Sequence, residues 1–348
     1  RVTYQKALGS MAQKAARVEE LTAWIGAQLR QTSPIDEQAA AKAARLAYAD
    51  LVTDVVKEFP ELQGHMGGVY ARKDGHDERV ALAVEQFYYP IAAKSPAPAT
   101  AEAAVVSLAG KLDSLAGCFA AGLIPTGSAD PYALRRQGLG LIRIVLEKQL
   151  PLDLDAALVR ALALQPAVMP EPAKLAAQLS EFVWARAQFL FEEMGCAVDE
   201  VRAVRAGALK DFPNTFRRLA ALRAVRRDPS FEPLAAAFKR ASNILKQAKA
   251  DNGTLPDRAL LKDPADFELY DALVSAEGAA NDRIVRGDYE GGLKSLVSVK
   301  PHLDLFFDKV MVMVEDESLK RQRLALLNKL VRAFHRVADL SEIQPSAA

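Results

Sequence analysis

Cysteine is scarce. Only Cys118 and Cys196 occur among 348 residues, far apart and each in an apolar helical context, which excludes a disulfide framework or a thiolate metal cluster. Histidine is nearly as rare: His65, His76, His302 and His335 include no pair three or four apart, the spacing that brings two imidazoles to one metal from one helix. Aromatic residues are only 7% of the chain, and with alanine abundant this suits packed helices better than sheets. No run of eighteen or more apolar residues occurs, and the N-terminus lacks the charged-then-apolar pattern of a secretory signal, so a reducing, cytoplasmic setting without a membrane partner is expected. Charge of one sign is missing too. The formal net charge is +1, which says nothing about partners until its distribution along the chain is read.

What is present is helical periodicity. Leu8, Met11, Ala15, Val18, Leu21 and Ile25 recur every three or four residues and predict a helix over 4–29. Because the chain starts at Arg1 already in this pattern and without a methionine, a piece of a longer polypeptide is the expectation. Ser33 and Pro34 open a second helix running to about Pro60; "PELQGHMGGVYARKDGHDE" then reads as a polar, glycine-rich link before "ERVALAVEQFYYP". A further helix surrounds Lys111. Three prolines in "LALQPAVMPEPAKLAA" mark the domain boundary, giving helical domains over 1–165 and 175–340, a proline-rich linker over 166–174 and a flexible tail over 341–348. Past the linker, helices are expected over 174–194, 198–206, 213–227, 231–250, 264–279, 289–297 and 317–338, with a segment around 301–314. No long strand pattern survives, although "DKVMVMV" alternates. The fold class is all-α, with two helical domains.

The stretch "GLIPTGSADPYALRRQGLG", residues 122–140, has the glycine spacing of a phosphate-binding loop. Ser128 stands where such a loop needs lysine, and what precedes it is helical, so nucleotide binding fails on both counts. Ser128 or Asp130 instead reads as a cap for the next helix. His76-Asp77 forms a His-Asp dyad of the kind that holds metal in HD phosphohydrolases, but here it lies in a polar loop. Neither cysteine has a histidine nearby, and no G-x-S-x-G elbow occurs. No catalytic residue and no metal ligand is expected.

One charge imbalance stands out. Between Arg202 and Lys249 twelve basic residues, among them Arg217, Arg218, Arg223, Arg226, Lys239, Arg240 and Lys246, face only Asp211, Asp228 and Glu232. Such a surplus on neighbouring helices is either the footprint of a nucleic-acid surface or a solvated face with partners elsewhere in the fold. Phe212, Phe216, Phe231 and Phe238 interleave at helical spacing, which more often means core than stacking platform.

Three segments, "DLVTDVVKEFPELQGHMGGVYA" (50–71), "GLIPTGSADPYALRR" (122–136) and "FFDKVMVMVEDESLKRQRLALL" (306–327), together resemble the beta subunit of the bacterial two-subunit glycyl-tRNA synthetase. The likeness is to the C-terminal half of that subunit. It implies a degenerate HD-like helical domain followed by a DALR-like anticodon-binding domain, with glycine tRNA and the alpha subunit as partners, no DNA, and ATP and magnesium held by the alpha subunit rather than here. "LAGKLDSL" departs from the family's "LADKLDTL" at Gly110, which removes one potential metal ligand. The resemblance favours the RNA-facing reading of the basic helices. Lys239, Asn243 and Lys246 share one helical face with Arg240 beside it, and the cations are expected to grip phosphates while Asn243 reads a base. Arg217, Arg218, Arg321 and Arg323 are further RNA-binding candidates. Arg135 and Arg136 are expected to be structural first, with backbone contact second.

Overall fold

The computed structural model describes residues 2–92, 94–166, 171–250 and 253–344. It is all-α apart from one small ribbon, as the sequence predicts. The chain divides into two compact units: Arg1–Glu193 with Gly207–Asn214, and Met194–Ala206 with Thr215–Ala348.

The first unit opens differently from expectation. Thr3–Gln5 and Gly9–Ser10 pair as an antiparallel ribbon, and helix α1 starts only at Met11, running to Leu29. The reason is local: Ser10 and Gln13 form a reciprocal capping box that satisfies the helix's first free N–H groups. The next predicted helix is also broken. Helix α2 (Glu37–Leu46) is capped by Asp36 rather than Ser33, and α3 (Asp54–Glu58) by Thr53. Between them Asp50 turns inward, its carboxylate accepting the N–H of Gly64 at 2.6 Å.

The segment read as a glycine-rich link contains helix α4 (His65–Lys73). Its glycines serve close packing, not flexibility: a Cβ on Gly68 would stand 2.7 Å from Glu85 Cβ on α5 (Glu78–Glu85). Helix α6 (Ala101–Ala120) lies at the centre of the unit and packs on α1, α2, α5, α7 (Leu134–Glu147), α8 (Leu154–Ala163) and α9 (Pro172–Glu193). By length and composition α6 is apolar enough to cross a membrane, but 89% of its apolar window is buried in this unit. A helix surrounded on all sides is apolar all round.

Helix α9 packs on α6, α7 and α8, so the first unit extends to Glu193 and the boundary expected at 166–174 lies inside it. Three prolines broke the helix pattern without ending the domain. Residues 167–170 of that linker fall outside the described residues.

The second unit holds α10 (Val198–Ala203), most of α11 (Phe212–Val225), α12 (Phe231–Ala248), α13 (Pro264–Val285), α14 (Tyr289–Val297), α15 (Lys300–Lys309) and α16 (Glu317–His335). Helix α13 packs on α14, α15 and α16, and α12 packs on α16. Asp316 caps α16 by accepting the N–H groups of Ser318 and Leu319, each at 3.1 Å. The expected tail is not free over its first part. Leu340–Glu342 forms a tight turn against α10 and α12, Ile343 is buried, and Gln344 N donates to Asp199 Oδ2 at 2.9 Å; residues 345–348 fall outside the described residues.

Candidate nucleic-acid interface

Helix α12 buries Phe231, Leu234, Ala235, Phe238, Ala241 and Ser242, and this stripe fixes what the other side presents. Phe238 stands edge-on to Phe334 of α16, with ring centres 5.6 Å apart. Lys239, Asn243 and Lys246 therefore face solvent, one turn after another, and none of their side chains makes a hydrogen bond or ion pair among the described residues. Helical spacing in the sequence located this row.

The structure divides the row between neighbouring grooves. One, of about 480 Å³, is lined by Lys239, Arg240, Asn243 and Gln247, with Ile343 and Gln344 as its far wall. A second, of about 970 Å³, lies between α12 and α16 and is lined by Lys246, Lys249, Asn328, Arg332 and His335. Lys249 also borders a third, of about 600 Å³, with Lys320 and Arg321. Lys249 and Arg321, like the α12 row, pair with no carboxylate among the described residues.

The acidic groups near these grooves are already occupied. Asp339 stands 3.3 Å from His335 Nε2. Burial raises its pKa, but the His335 imidazole, the Ser341 hydroxyl and the Ser341 N–H together prevail and hold it down at about 2. Glu317 pairs with Lys320 at 2.5 Å, which leaves Lys320 partly neutralised. Arg240 lays its guanidinium over the Phe307 ring at 4.3 Å, a stacked position that fixes the plane it offers to a ligand.

Arg323 does not belong to this surface. It is 2% exposed, its Nε and Nη2 meet the buried Asp266 carboxylate at 3.0 Å, Nη1 donates to Met311 O at 2.9 Å, and Asp263 completes the cluster. With its donors spent inside the unit, it has none to offer a phosphate, and the RNA-binding expectation is corrected. Arg321, two residues earlier, is exposed on the third groove.

Arg218 is half-buried and donates to Thr215 Oγ1 at 3.0 Å and Val337 O at 3.4 Å, so it holds helix ends together rather than standing free. Arg217 is exposed on α11 but lines none of the three grooves. Much of the basic surplus is likewise consumed: Arg226 meets Asp199 at 2.9 Å and Glu200 at 3.3 Å, and Arg223 donates to Gly195 O at 2.7 Å. Phe212, Phe231 and Phe238 are core.

Sequence reasoning missed Asn328, Arg332 and His335. Their i, i+4, i+7 spacing was the available signal, because it places all three on one side of α16 beside its apolar stripe.

In the first unit, Asp130 caps α7, accepting from Leu134 N at 2.7 Å and Arg135 N at 3.0 Å, while Arg135 Nη2 donates to Gly127 O at 2.6 Å. The glycine-spaced loop is thus a stapled turn. Arg136 is exposed. His76 and Asp77 lie between α4 and α5, where Asp77 caps α5 through Arg79 N at 2.9 Å. Among the described residues no three His, Cys, Asp or Glu side chains gather to hold a metal ion.

This helical unit carries exposed cations around neighbouring grooves, and residues 234–347 match the family model described as the DALR anticodon binding domain. Residues 1–206, more than half of the chain, match the family model described as the glycyl-tRNA synthetase beta subunit. The chain belongs to the glycyl-tRNA synthetase beta subunit family. It is 44% identical to the glycine–tRNA ligase beta subunit of Aromatoleum aromaticum, with 98% of this chain and 48% of the relative covered. The corresponding figures are 41%, 99% and 49% for Nitrosomonas eutropha, and 39%, 99% and 50% for Acidobacterium capsulatum. The chain spans about half the length of these relatives.

Proposed function

We propose that this chain is the tRNA-gripping part of a glycine–tRNA ligase beta subunit. The observation that carries the reading is the set of uncommitted cations, Lys239, Lys246, Lys249 and Arg321, around grooves within the region that matches an anticodon-binding family. Phosphates bind such cations without regard to sequence, which positions the RNA, while amides supply base discrimination. Asn243 and Gln247 share the first groove and are assigned the base-reading role. Ligation itself is assigned to the assembly with the alpha subunit, which holds ATP and magnesium and activates glycine. This chain contributes binding and no catalytic residue.

A titration with glycine tRNA, and with the same tRNA carrying a changed anticodon, at two salt concentrations tests the proposal. Steep salt dependence together with weaker binding of the changed tRNA is the expected result, since each phosphate contact adds roughly 0.7–0.9 to the log–log salt slope. Equal binding of both tRNAs would remove base reading from this chain. No binding at all would remove the tRNA role.

A further inference from the structure

In the first unit a cavity of about 290 Å³ reaches the buried side chains Lys14 of α1 and Lys111 and Ser107 of α6. Its size sits at the lower end of the roughly 300–1,000 Å³ of small-molecule sites, which limits an occupant to something compact. The charges around it do not balance. Lys14, Arg17 and Lys111 are three buried cations, and Asp113 is the carboxylate that answers them, meeting Lys14 Nζ at 2.6 Å and Arg17 Nε at 2.6 Å. Lys111 is left with neutral partners: its ammonium donates to Tyr88 O at 3.2 Å and Ser107 Oγ at 3.1 Å. Two acceptors leave one of its three protons unassigned.

A further buried carboxylate, Asp50, has its Oδ2 taken by the N–H groups of Gly64 at 2.6 Å and Gly67 at 3.2 Å, while its Oδ1 has no hydrogen-bond partner among the described residues, and neither oxygen accepts from Lys111. A buried ammonium without a counter-charge is unfavourable unless something supplies one. The cavity that Lys111 lines is where that charge fits. Close packing holds Lys111 there, since a Cβ on Gly140 of α7 would stand 2.8 Å from its Cε.

We propose that this cavity binds a small phosphate-bearing ligand, a phosphate monoester dianion, between Lys111 and Lys14. A dianion offers acceptors to both ammonium groups at once, and the Tyr4, Tyr48 and Tyr88 side chains form part of the wall. Burial pushes all three phenols above their ordinary range, so they stay neutral and none opposes an anion. Tyr132, exposed on the same wall, offers an aromatic face to whatever the phosphate carries. Burial also lowers the Lys111 ammonium to about 7, and a bound dianion restores its charge.

The test is calorimetric titration of the whole chain with inorganic phosphate at constant ionic strength, beside Lys111→Met and Ser107→Ala, with folding checked by circular dichroism. Competition by a short RNA bearing either a 5′-phosphate or a 5′-hydroxyl separates a free phosphate monoester from an RNA end. Saturable phosphate binding that weakens tenfold or more in Lys111→Met supports the site with a free ligand. A gain for the 5′-phosphorylated RNA alone, lost in the same variant, supports it with an RNA end as the source. Should Lys111→Met fail to fold, a several-fold loss in Ser107→Ala carries the same meaning. Binding unchanged in the folded variants, or no binding of either probe, overturns the proposal.

Discussion

Arg321 and Arg323 are two residues apart, and replacing each by methionine should give opposite results. Arg323→Met removes the guanidinium that answers Asp266, which is fully buried. Asp266 then keeps only the backbone N–H groups of Lys262 at 3.3 Å and Asp263 at 3.1 Å. Removing one partner of a buried pair costs about 3–5 kcal/mol, because the other charge stays uncompensated. For a unit of this size that lowers the midpoint of thermal unfolding by about 10–15 °C. Differential scanning calorimetry should show the loss, while the salt slope of tRNA binding, taken well below the transition, stays unchanged. Arg321→Met should leave the midpoint alone and flatten that slope by roughly 0.7–0.9 if the side chain meets one phosphate. An Arg323→Met protein with normal thermal stability and a flattened slope would refute the assignment of this arginine to the interior.

Asn243→Ala should reduce discrimination between glycine tRNA and the changed-anticodon tRNA by about 1–3 kcal/mol, the scale of one good base contact, with the salt slope preserved. Burial lowers Lys111 to about 7 in the folded chain from an ordinary 10.5, with Tyr88 O and Ser107 Oγ as its hydrogen-bond partners and Lys14 on the same cavity. Between those two values the unfolded chain binds more protons, so this group makes stability rise with pH there, and its destabilisation is fully present below pH 7. Lys111→Met should therefore be more stable than the parent at pH 6.5 in urea unfolding, with the gap narrowing by about 2–3 kcal/mol at pH 9. A gap that does not narrow would place the Lys111 ammonium outside the buried setting described. Gly68→Ala should cost about 1–3 kcal/mol by overpacking, since its Cβ would meet Glu85 Cβ at 2.7 Å and Ala81 O at 3.0 Å. Gly75→Ala, in open space at φ +80°, is the control for backbone strain alone.

The sequence by itself determined the all-α class, the bounds of α14 and the solvent-facing row of Lys239, Asn243 and Lys246. These rest on interactions within a few residues: a helix closes its hydrogen bonds four residues back, and its apolar stripe declares which side turns inward. The family likeness was legible for a related reason, since long ordered matches need no coordinates. Tertiary structure decided the rest. The glycines of α4 look like a loop until α5 presses against them, and the prolines near 170 look like a domain boundary until α9 packs back onto α6. Arg321 and Arg323 are the same residue type on one helix, about 200° apart around its axis. One points into solvent and the other into Asp266, supplied by a helix more than fifty positions earlier. Local spacing fixes on which side of a helix a charge lies, but whether it stays free depends on which distant helix covers that side.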